Sequence, residues 1–322
     1  MKRRQFLAAS LACAAGTAFS AESRYPDKPI TLIVGAPAGS VPDVLTRVVA
    51  KNMERLVHNP LIVLNKVGAR GIIAGEMASK AAPDGYTLIT GYAAQFCIEP
   101  ALNPSLSFDP LHDFSPVAML ASLSPLLTVK GDSKINDLQA LIDIAKKEPG
   151  SLTIGATSST SILLVEMLQR AAGIKLLRIP YKSSGDARMD LISGRIDANV
   201  DAPVLSLLHS GQMKALANFD VERSEVLPDI PSFAELGFGS LSFVGWNGIL
   251  APAGVPAAIS AYLLKCFDEA ADSAEVRQIL KETGSRRSKM GADDFARLIK
   301  DDIDRYTETA EKLGLRGNLV GR

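Results

Sequence analysis

The stretch ITLIVGAPAGSVPDVLTRVV, residues 30–49, decides the fold class of this chain. Its first five residues form an apolar run between Pro29 and Gly35, which is typical of a strand in the interior of a sheet. A loop of small residues follows, and Ser40 with Asp43 three residues later has the form of a helix capping box. Apolar residues then recur at helical spacing. The stretch therefore predicts a strand, a glycine-containing loop and a helix, in that order.

The same alternation continues along the chain and predicts two tandem α/β units. In the first unit, a helix over 72–82 separates predicted strands at 60–64 and 86–90. In the second unit, helices at 137–147, 162–172 and 186–193 alternate with strands at 152–155, 176–181 and 196–200. Strands that alternate with helices imply parallel, doubly wound sheets. We interpret residues 114–129 as the crossover between the two units.

The tail from Pro256 onward is predicted to be almost wholly helical. Asp293 or Asp294 is placed to cap a long final helix that ends near Gly314. Because this tail carries no predicted sheet of its own, we expect it to pack back on the first unit.

Composition narrows the classes of function. The length of 322 residues suggests about two domains at a prior of roughly 150 residues each. Lys and Arg number 35 against 35 Asp and Glu, so the basic excess that binding a nucleic-acid backbone needs is missing. Residues 236–264 carry no charge, but glycines and prolines interrupt them, so they predict loop and interior strand rather than a membrane helix.

Residues 1–21 have the form of an export leader. Lys2, Arg3 and Arg4 precede an apolar stretch that is too short to span a bilayer, and small residues precede Ala21, the predicted cleavage position. The pair of arginines also resembles a twin-arginine signal, so the export route is either that pathway or the general secretory one. Cleavage of the leader would remove three of the 35 basic residues, so the mature chain would have 32 basic and 35 acidic residues. We expect a soluble, periplasmic mature protein.

Catalytic and metal-binding motifs are missing from the sequence. It has no nucleophile elbow, P-loop, dinucleotide fingerprint or zinc-protease motif, and its three histidines are isolated. We therefore expect no enzyme activity, no cofactor and no bound metal. Cys97 and Cys266 either pair in an oxidising compartment or are buried thiols, and burial is favoured because free cysteines are usually buried.

Two strand-end loops are the candidate ligand site. Ligands of open α/β sheets bind at the carboxyl ends of the strands, where helix N-termini offer unpaired backbone N–H groups and a partial positive charge. The loop at 35–43 is rich in small residues, and the loop at 156–161 adds hydroxyl groups. Each loop can instead be a tight turn with a good helix cap. Together they predict an anion held by neutral donors.

Several charged residues stand at or beside strand ends. Asp201 ends an apolar strand and either faces the ligand or caps the helix that begins near Pro203. Arg70, Lys182 and Arg188 either pair with an anionic ligand or are solvated surface charges.

An ordered set of short motifs resembles the Bug family, the extracytoplasmic solute receptors of tripartite tricarboxylate transporters. The set covers nearly the whole mature chain, although each motif is weak by itself. The motifs are YPDKPI at 25–30, PAG at 37–39 with Asp43, NKVGA at 65–69, PDGYTL at 83–88, IPYK at 179–182, LPDIPS at 227–232, ELG at 235–237, WNG at 246–248 and PAG at 252–254. The chain departs from the family pattern at Ser40 and Arg70, where a glycine is usual, and in the second loop, which lacks the usual glycine and histidine.

The resemblance implies a two-domain α/β receptor of the type II periplasmic-binding-protein (Venus-flytrap) architecture, each domain a doubly wound sheet flanked by helices. Domain I would span 26–125 and 247–322, and domain II 126–246, with the ligand cleft between them. The implied function is to capture a small carboxylated solute as a monomer and deliver it to membrane permease subunits. A ligand-sensing receptor is the alternative, and an exported α/β enzyme is a further competitor. The predicted ligand-binding residues are Ala36, Ala38, Gly39, Ser40, Asp43, Ala69, Arg70, Gly91, Tyr92, Thr157, Ser158, Ser159, Thr160, Ser161, Lys182 and Asp201.

Overall fold

A computed structural model describes residues 25–181 and 183–317 of the chain. The predicted leader and Lys182 lie outside the described residues, so the export signal and the ligand role of Lys182 stay predictions. The strands are β1 (Ile30–Val34), β2 (Leu61–Asn65), β3 (Thr87–Tyr92), β4 (Phe114–Leu123), β5 (Leu126–Lys130), β6 (Thr153–Ala156), β7 (Leu177–Pro180), β8 (Ala198–Asp201), β9 (Met213–Asn218), β10 (Gly245–Pro252) and β11 (Arg286–Arg287).

The helices flank these strands and connect most of them. They are α1 (Val41–Val57), α2 (Ile72–Ser79), α3 (Glu99–Leu102), α4 (Leu138–Lys147), α5 (Ser159–Ala172), α6 (Ser184–Ser193), α7 (Leu205–His209), α8 (Ala257–Ala271), α9 (Ala274–Glu282) and α10 (Ala292–Leu313). Short 3₁₀ turns lie at Ala69–Gly71 and Gly239–Leu241, and a π-helical turn at Ala94–Ile98 leads into α3.

The first sheet has six strands in the order β11-β4-β10-β3-β1-β2. β1 pairs in parallel with both β2 and β3, which confirms the parallel arrangement predicted from the opening stretch. β10 lies antiparallel between β3 and β4 although it follows the whole second unit in sequence. This strand joins the C-terminal part of the chain to the first domain.

The second sheet has five strands in the order β7-β6-β8-β5-β9. β6 pairs in parallel with β7 and β8, as the alternation of the second unit predicts. β5 pairs antiparallel with β8 and β9. Both sheets are therefore mixed, with a parallel part at the positions where strands alternate with helices.

The chain crosses between the sheets in two places. Ser124 and Pro125 lie between the end of β4 and the start of β5, and the return path lies between Asn218 and Gly245. The interpretation of residues 114–129 as a crossover is wrong in its extent, because most of this stretch forms β4 and β5. Their pairing partners are distant in sequence, so no local pattern marks them.

The tail packs on the first domain, as expected. α10 contacts β4, the π-helical turn and α3, and Phe295 on α10 meets Trp246 edge-on at 4.9 Å between ring centroids. Two details of the prediction are wrong. β11 adds a short strand to the first sheet, and Gly291 rather than either aspartate is the N-cap of α10, with Asp293 and Asp294 in its first turn.

Cys97 and Cys266 are both buried and unpaired, which confirms their interpretation as packed thiols. Burial raises the pKa of the Cys97 thiol well above its ordinary value, so it is inert as a thiolate. Among the helices of the described residues, none has the length and apolar character needed to cross a membrane.

Candidate functional site

A cavity of about 570 Å³ lies between the two domains. Loops and strand ends from both sheets line it, as expected for a ligand site at the carboxyl ends of strands. The lining residues are Pro37, Ala38, Gly39, Ser40, Val41, Pro42, Tyr92, Ala93, Ala94, Leu123, Pro125, Thr157, Ser158, Thr160, Ser161, Ser183, Ser184, Gly185, Val200, Asp201, Ala202, Phe243, Gly245, Trp246 and Asn247.

The first wall of the cavity is the loop that leads into α1. Gly39 has a φ of 80°, a left-handed conformation that favours glycine, and this turn brings Ser40 to the N-cap position. The predicted capping box is wrong: the Ser40 hydroxyl donates to the carbonyl oxygen of Pro37 at 2.6 Å and makes no cap hydrogen bond. Asp43 does occupy the third helical position, but it accepts from the backbone N–H of Gly39 at 2.9 Å.

Ser40→Ala is expected to change the free energy of unfolding by less than about 1 kcal/mol, because no helix cap is lost and one half-exposed hydroxyl contact disappears. The ligand affinity should nevertheless fall, because Ser40 lines the cavity. Chemical denaturation and calorimetric titration measure the two quantities separately. An unchanged affinity would leave Ser40 as a loop residue without a ligand role.

The second wall is the start of α5. Ser158 is the N-cap, and its hydroxyl accepts from the backbone N–H of Ser161 at 3.2 Å. The Ser161 hydroxyl in turn accepts from the N–H groups of Thr157 and Ser158 at 2.9 and 3.0 Å, which completes a capping box. α5 therefore begins at Ser159, three residues earlier than predicted. This reciprocal cap ties the hydroxyl-rich loop to the first turn of α5.

The third wall, the start of α6, was not among the predicted ligand residues. Ser183 caps the helix by accepting from the N–H of Asp186 at 3.2 Å, and Ser184 and Gly185 line the cavity beside it. The hydroxyls of Ser184 and Thr157 lie 3.4 Å apart, so the starts of α5 and α6 are neighbours. A serine three residues before an acidic residue, directly after a predicted strand, was the signal that could have identified this wall.

Asp201 ends β8 at the cavity, and protein groups engage both of its carboxylate oxygens. Oδ1 accepts from the Ser184 hydroxyl at 3.0 Å and from the N–H of Ala202 at 2.8 Å, and Oδ2 accepts from Arg188 Nη1 at 2.7 Å. Burial raises the pKa of the Asp201 carboxyl, and the nearby Arg188 opposes that shift. Arg188 therefore balances the charge of Asp201 instead of standing free for a ligand.

Six of the predicted ligand residues lie elsewhere in the structure. The Ala36 carbonyl accepts from Asn65 and Asp43 pairs with Arg47. Gly91 lies inside β3 and packs closely against Leu250 and Phe96. A Cβ at this position would lie only 2.3 Å from Leu250 Cδ1. Ala69 lies in the 3₁₀ turn before α2. Ala36, Asp43, Ala69, Arg70, Gly91 and Ser159 are outside the cavity lining, and Lys182 is outside the described residues.

Arg70 and Ser159 instead meet at a third residue, Glu99. Arg70 Nε donates to Glu99 Oε1 at 2.6 Å, and the Ser159 hydroxyl donates to the same oxygen. Glu99 is buried in domain I and Ser159 begins α5 of domain II. This contact joins the two domains outside the cavity, and neither sequence spacing nor motif pointed to it.

The floor of the cavity comes from β3 and β10. Burial raises the pKa of the Tyr92 hydroxyl, which stays protonated and donates to the Gly35 carbonyl at 3.3 Å. Asn247 pairs with Tyr92 across the two strands. Trp246 packs against Phe96 and Phe295 in the domain core. Of these floor residues, Tyr92 is the one that the sequence analysis gives as a ligand-binding residue.

The electrostatics of the cavity suit an anion. Among the lining residues that the structure describes, Asp201 is the one charged side chain, and Arg188 compensates it. The N-termini of α1, α5 and α6 converge on the space, and each carries a partial positive charge and backbone N–H groups. Within residues 25–181 and 183–317, no group of three His, Cys, Asp or Glu side chains could hold a metal ion.

Comparison with known proteins gives a consistent result. Residues 45–315 match the family model described as "Tripartite tricarboxylate transporter family receptor". The chain is 32% identical over 297 residues to the protein BugT of Bordetella pertussis, a match that covers 91% of each. The periplasmic binding protein BugD has a similar solved structure, with 26% identity, a TM-score of 0.80 and coverage of 91% of this chain and 99% of that one.

Two further solved structures carry ligands. MatC from Rhodopseudomonas palustris, with bound malate, has 27% identity, a TM-score of 0.78 and coverage of 88% of this chain and 99% of that one. Another protein of the same organism, solved with adipate, has 27% identity, a TM-score of 0.81 and coverage of 90% and 98%. These similarities agree with the two-domain periplasmic-binding-protein fold expected from the sequence.

Proposed function

From the premise that this chain belongs to the Bug family of tripartite tricarboxylate transporter receptors, we propose that it captures a small organic carboxylate in the periplasm and delivers it, as a monomer, to a membrane permease. The family and the similar solved structures are solute-binding proteins. The proposal concerns the carboxylate ligand, the location and the permease partner of this particular chain.

The observation that carries the proposal is the convergence of three helix N-termini on one cavity in which Arg188 neutralises Asp201, the one charged side chain among the described lining residues. A carboxylate in this position would accept charge-assisted hydrogen bonds from backbone N–H groups and hydroxyls. α1 belongs to domain I, whereas α5 and α6 belong to domain II. A ligand with an anionic group at each wall would therefore be held from both sides.

The size of the cavity also supports a small organic acid. Its volume of about 570 Å³ lies in the range of ordinary small-molecule pockets. Similar solved structures hold malate and adipate, two dicarboxylates of different length. A ligand that contacts both domains favours the closed form over the open one by its differential affinity, and closure is the change that a membrane partner can recognise.

We expect at least one mono-, di- or tricarboxylate to raise the melting temperature of the purified mature protein by several degrees. Binding to the folded state adds about 2.7 kcal/mol of stability at a ligand concentration of 100 times Kd. A thermal-shift screen with sodium chloride and sulfate at matched ionic strength as controls measures this effect. Stabilisation by neutral sugars or by cations alone would contradict the proposal.

A further inference from the structure

The amide of Asn247 places a hydrogen-bond donor in the floor of the cavity. Asn247 is 3% exposed in β10, a strand of which all eight residues are buried. It lines the cavity, and its Oδ1 is fully buried, whereas its Nδ2 keeps accessible surface and has no hydrogen-bond partner among the described residues. Polar groups in such buried side chains normally have partners. The Nδ2 group is therefore an unused donor at the surface of the cavity.

Asn247 shares its face of the sheet with Tyr92. The two residues are directly opposite each other in the antiparallel pair of β10 and β3, and residues paired in this way present their side chains to the same face. Tyr92 also lines the cavity, and its hydroxyl donates to the carbonyl oxygen of Gly35, the first residue of the loop that leads into α1. The Nδ2 donor therefore lies on the domain I side of the cavity.

We infer that Asn247 is a specificity-determining residue whose Nδ2 donates a hydrogen bond to an acceptor oxygen at the domain I end of the bound carboxylate. This inference rests on the proposed function. A methyl group at that end has no lone pair, and an ammonium group is itself only a donor, so neither can accept from Nδ2. A second carboxylate at that end would accept a charge-assisted hydrogen bond. Asn247 thus selects ligands by the chemistry of the end that faces domain I.

The other end of the ligand has its own donors in domain II. The starts of α5 and α6 supply backbone N–H groups and a partial positive charge. The hydroxyl groups beside them belong to Thr157, Ser158, Thr160, Ser161, Ser183 and Ser184. A carboxylate that two ligands have in common would go to this donor-rich side. A difference between the two ligands at their other end is then recognised at Asn247.

The test compares dicarboxylates with monocarboxylates of the same chain length: succinate with butyrate, glutarate with pentanoate, and adipate with hexanoate. Calorimetric titration of the wild-type protein should show about tenfold or more tighter binding of the dicarboxylate in at least one pair, because the monocarboxylate leaves Nδ2 unpaired. Asn247→Leu has a similar volume without polar atoms. It should reduce the ratio within that pair by about tenfold, and should change the affinity for the monocarboxylate by less than about threefold.

Asn247→Asp distinguishes a donor from an acceptor at this position. The two side chains have nearly the same shape, but an ionised aspartate can only accept hydrogen bonds. At about pH 8 this variant should therefore weaken binding of the dicarboxylate more than Asn247→Leu does, because the new carboxylate also repels the anion.

Asn199→Leu is the matched control, because Asn199 is also a fully buried strand amide with unpaired polar atoms but lies outside the cavity lining. This variant should leave the ratio unchanged, whatever it does to stability. Equal or tighter binding of the monocarboxylate by the wild-type protein in every pair would overturn the inference even if neither Asn247 variant folds. So would an equal loss of affinity for both acids in Asn247→Leu, or undiminished binding of the dicarboxylate by Asn247→Asp. Binding of carboxylates without these differences refutes the role of Asn247 alone, whereas binding of no carboxylate refutes the proposed function and the inference with it.

Discussion

Replacing Ser159 by Ala is expected to open the cleft of the ligand-free protein and to raise the Kd for a bound carboxylate by about tenfold to a hundredfold. The Ser159 hydroxyl donates to Glu99 Oε1 across the domain boundary, and Arg70 holds the same oxygen. A hydrogen bond to a charged group contributes about 1.5–3 kcal/mol. Because this one joins residues of different domains, its loss destabilises the closed form relative to the open one.

Small-angle scattering measures the closure and calorimetric titration measures the affinity. The radius of gyration of ligand-free Ser159→Ala should exceed that of the wild-type protein, and saturating ligand should restore the smaller value. Ser79→Ala is the control, because its hydroxyl bonds to the Glu76 carbonyl within α2. A weaker affinity with an unchanged radius would instead mean that Ser159 contacts the ligand directly.

Glu99→Gln gives a second line of evidence for the same contact. It removes the charge that Arg70 and Ser159 share, so its effect and that of Ser159→Ala should be non-additive in the double variant. Full additivity would show that the two side chains act on the cleft independently.

Asp43→Ala is expected to lower the free energy of unfolding by about 3 kcal/mol, near the lower end for a broken buried ion pair. Asp43 is 2% exposed and accepts from Gly39 N–H at 2.9 Å, Asn65 Nδ2 at 2.8 Å and Arg47 Nε at 3.0 Å. These bonds tie the first cavity wall to α1 and β2. Arg47 is about half exposed, which keeps the loss from being larger.

The same residue predicts a dependence of stability on pH. Burial by itself raises the pKa of the Asp43 carboxyl, but the hydrogen bonds from Arg47, Gly39 and Asn65 outweigh it and hold the pKa below its ordinary value of 3.8. The stabilising contribution is therefore complete above pH 3.8 and is lost as the pH falls through the folded pKa. Asp43→Asn should remove this part of the acid transition.

Urea denaturation at several pH values measures both effects. Asp304→Ala is the control, because Asp304 pairs with Lys300 on an exposed face of α10 and should cost less than about 0.5 kcal/mol. A similar loss in both variants would contradict the special role of Asp43, and an unchanged acid slope in Asp43→Asn would contradict the depressed pKa.

The candidate site was predicted in part: residues marked by local sequence signals were found, and residues brought to the cavity by distant strand pairing were not. Gly39, Ser40, Ser158 and Ser161 were identifiable because strand, loop and helix signals stand side by side in the chain. Asn247 belongs to the WNG motif but was not predicted to lie at the site, because a single amide in an uncharged stretch shows no such place until β10 is inserted beside β3.

Local signals therefore determined the alternation of strands and helices, their parallel pairing within each unit and the two strand-end loops that lead into helices, because apolar periodicity and loop composition depend on neighbours a few residues apart. The ordered motifs also identified the family. Tertiary structure alone decided where β10 and β11 pair, which helix start completes the cavity and that Arg70 pairs with Glu99. Each of these depends on contacts between residues far apart in sequence, such as Glu99 and Ser159, whose hydrogen bond exists only when the two domains come together.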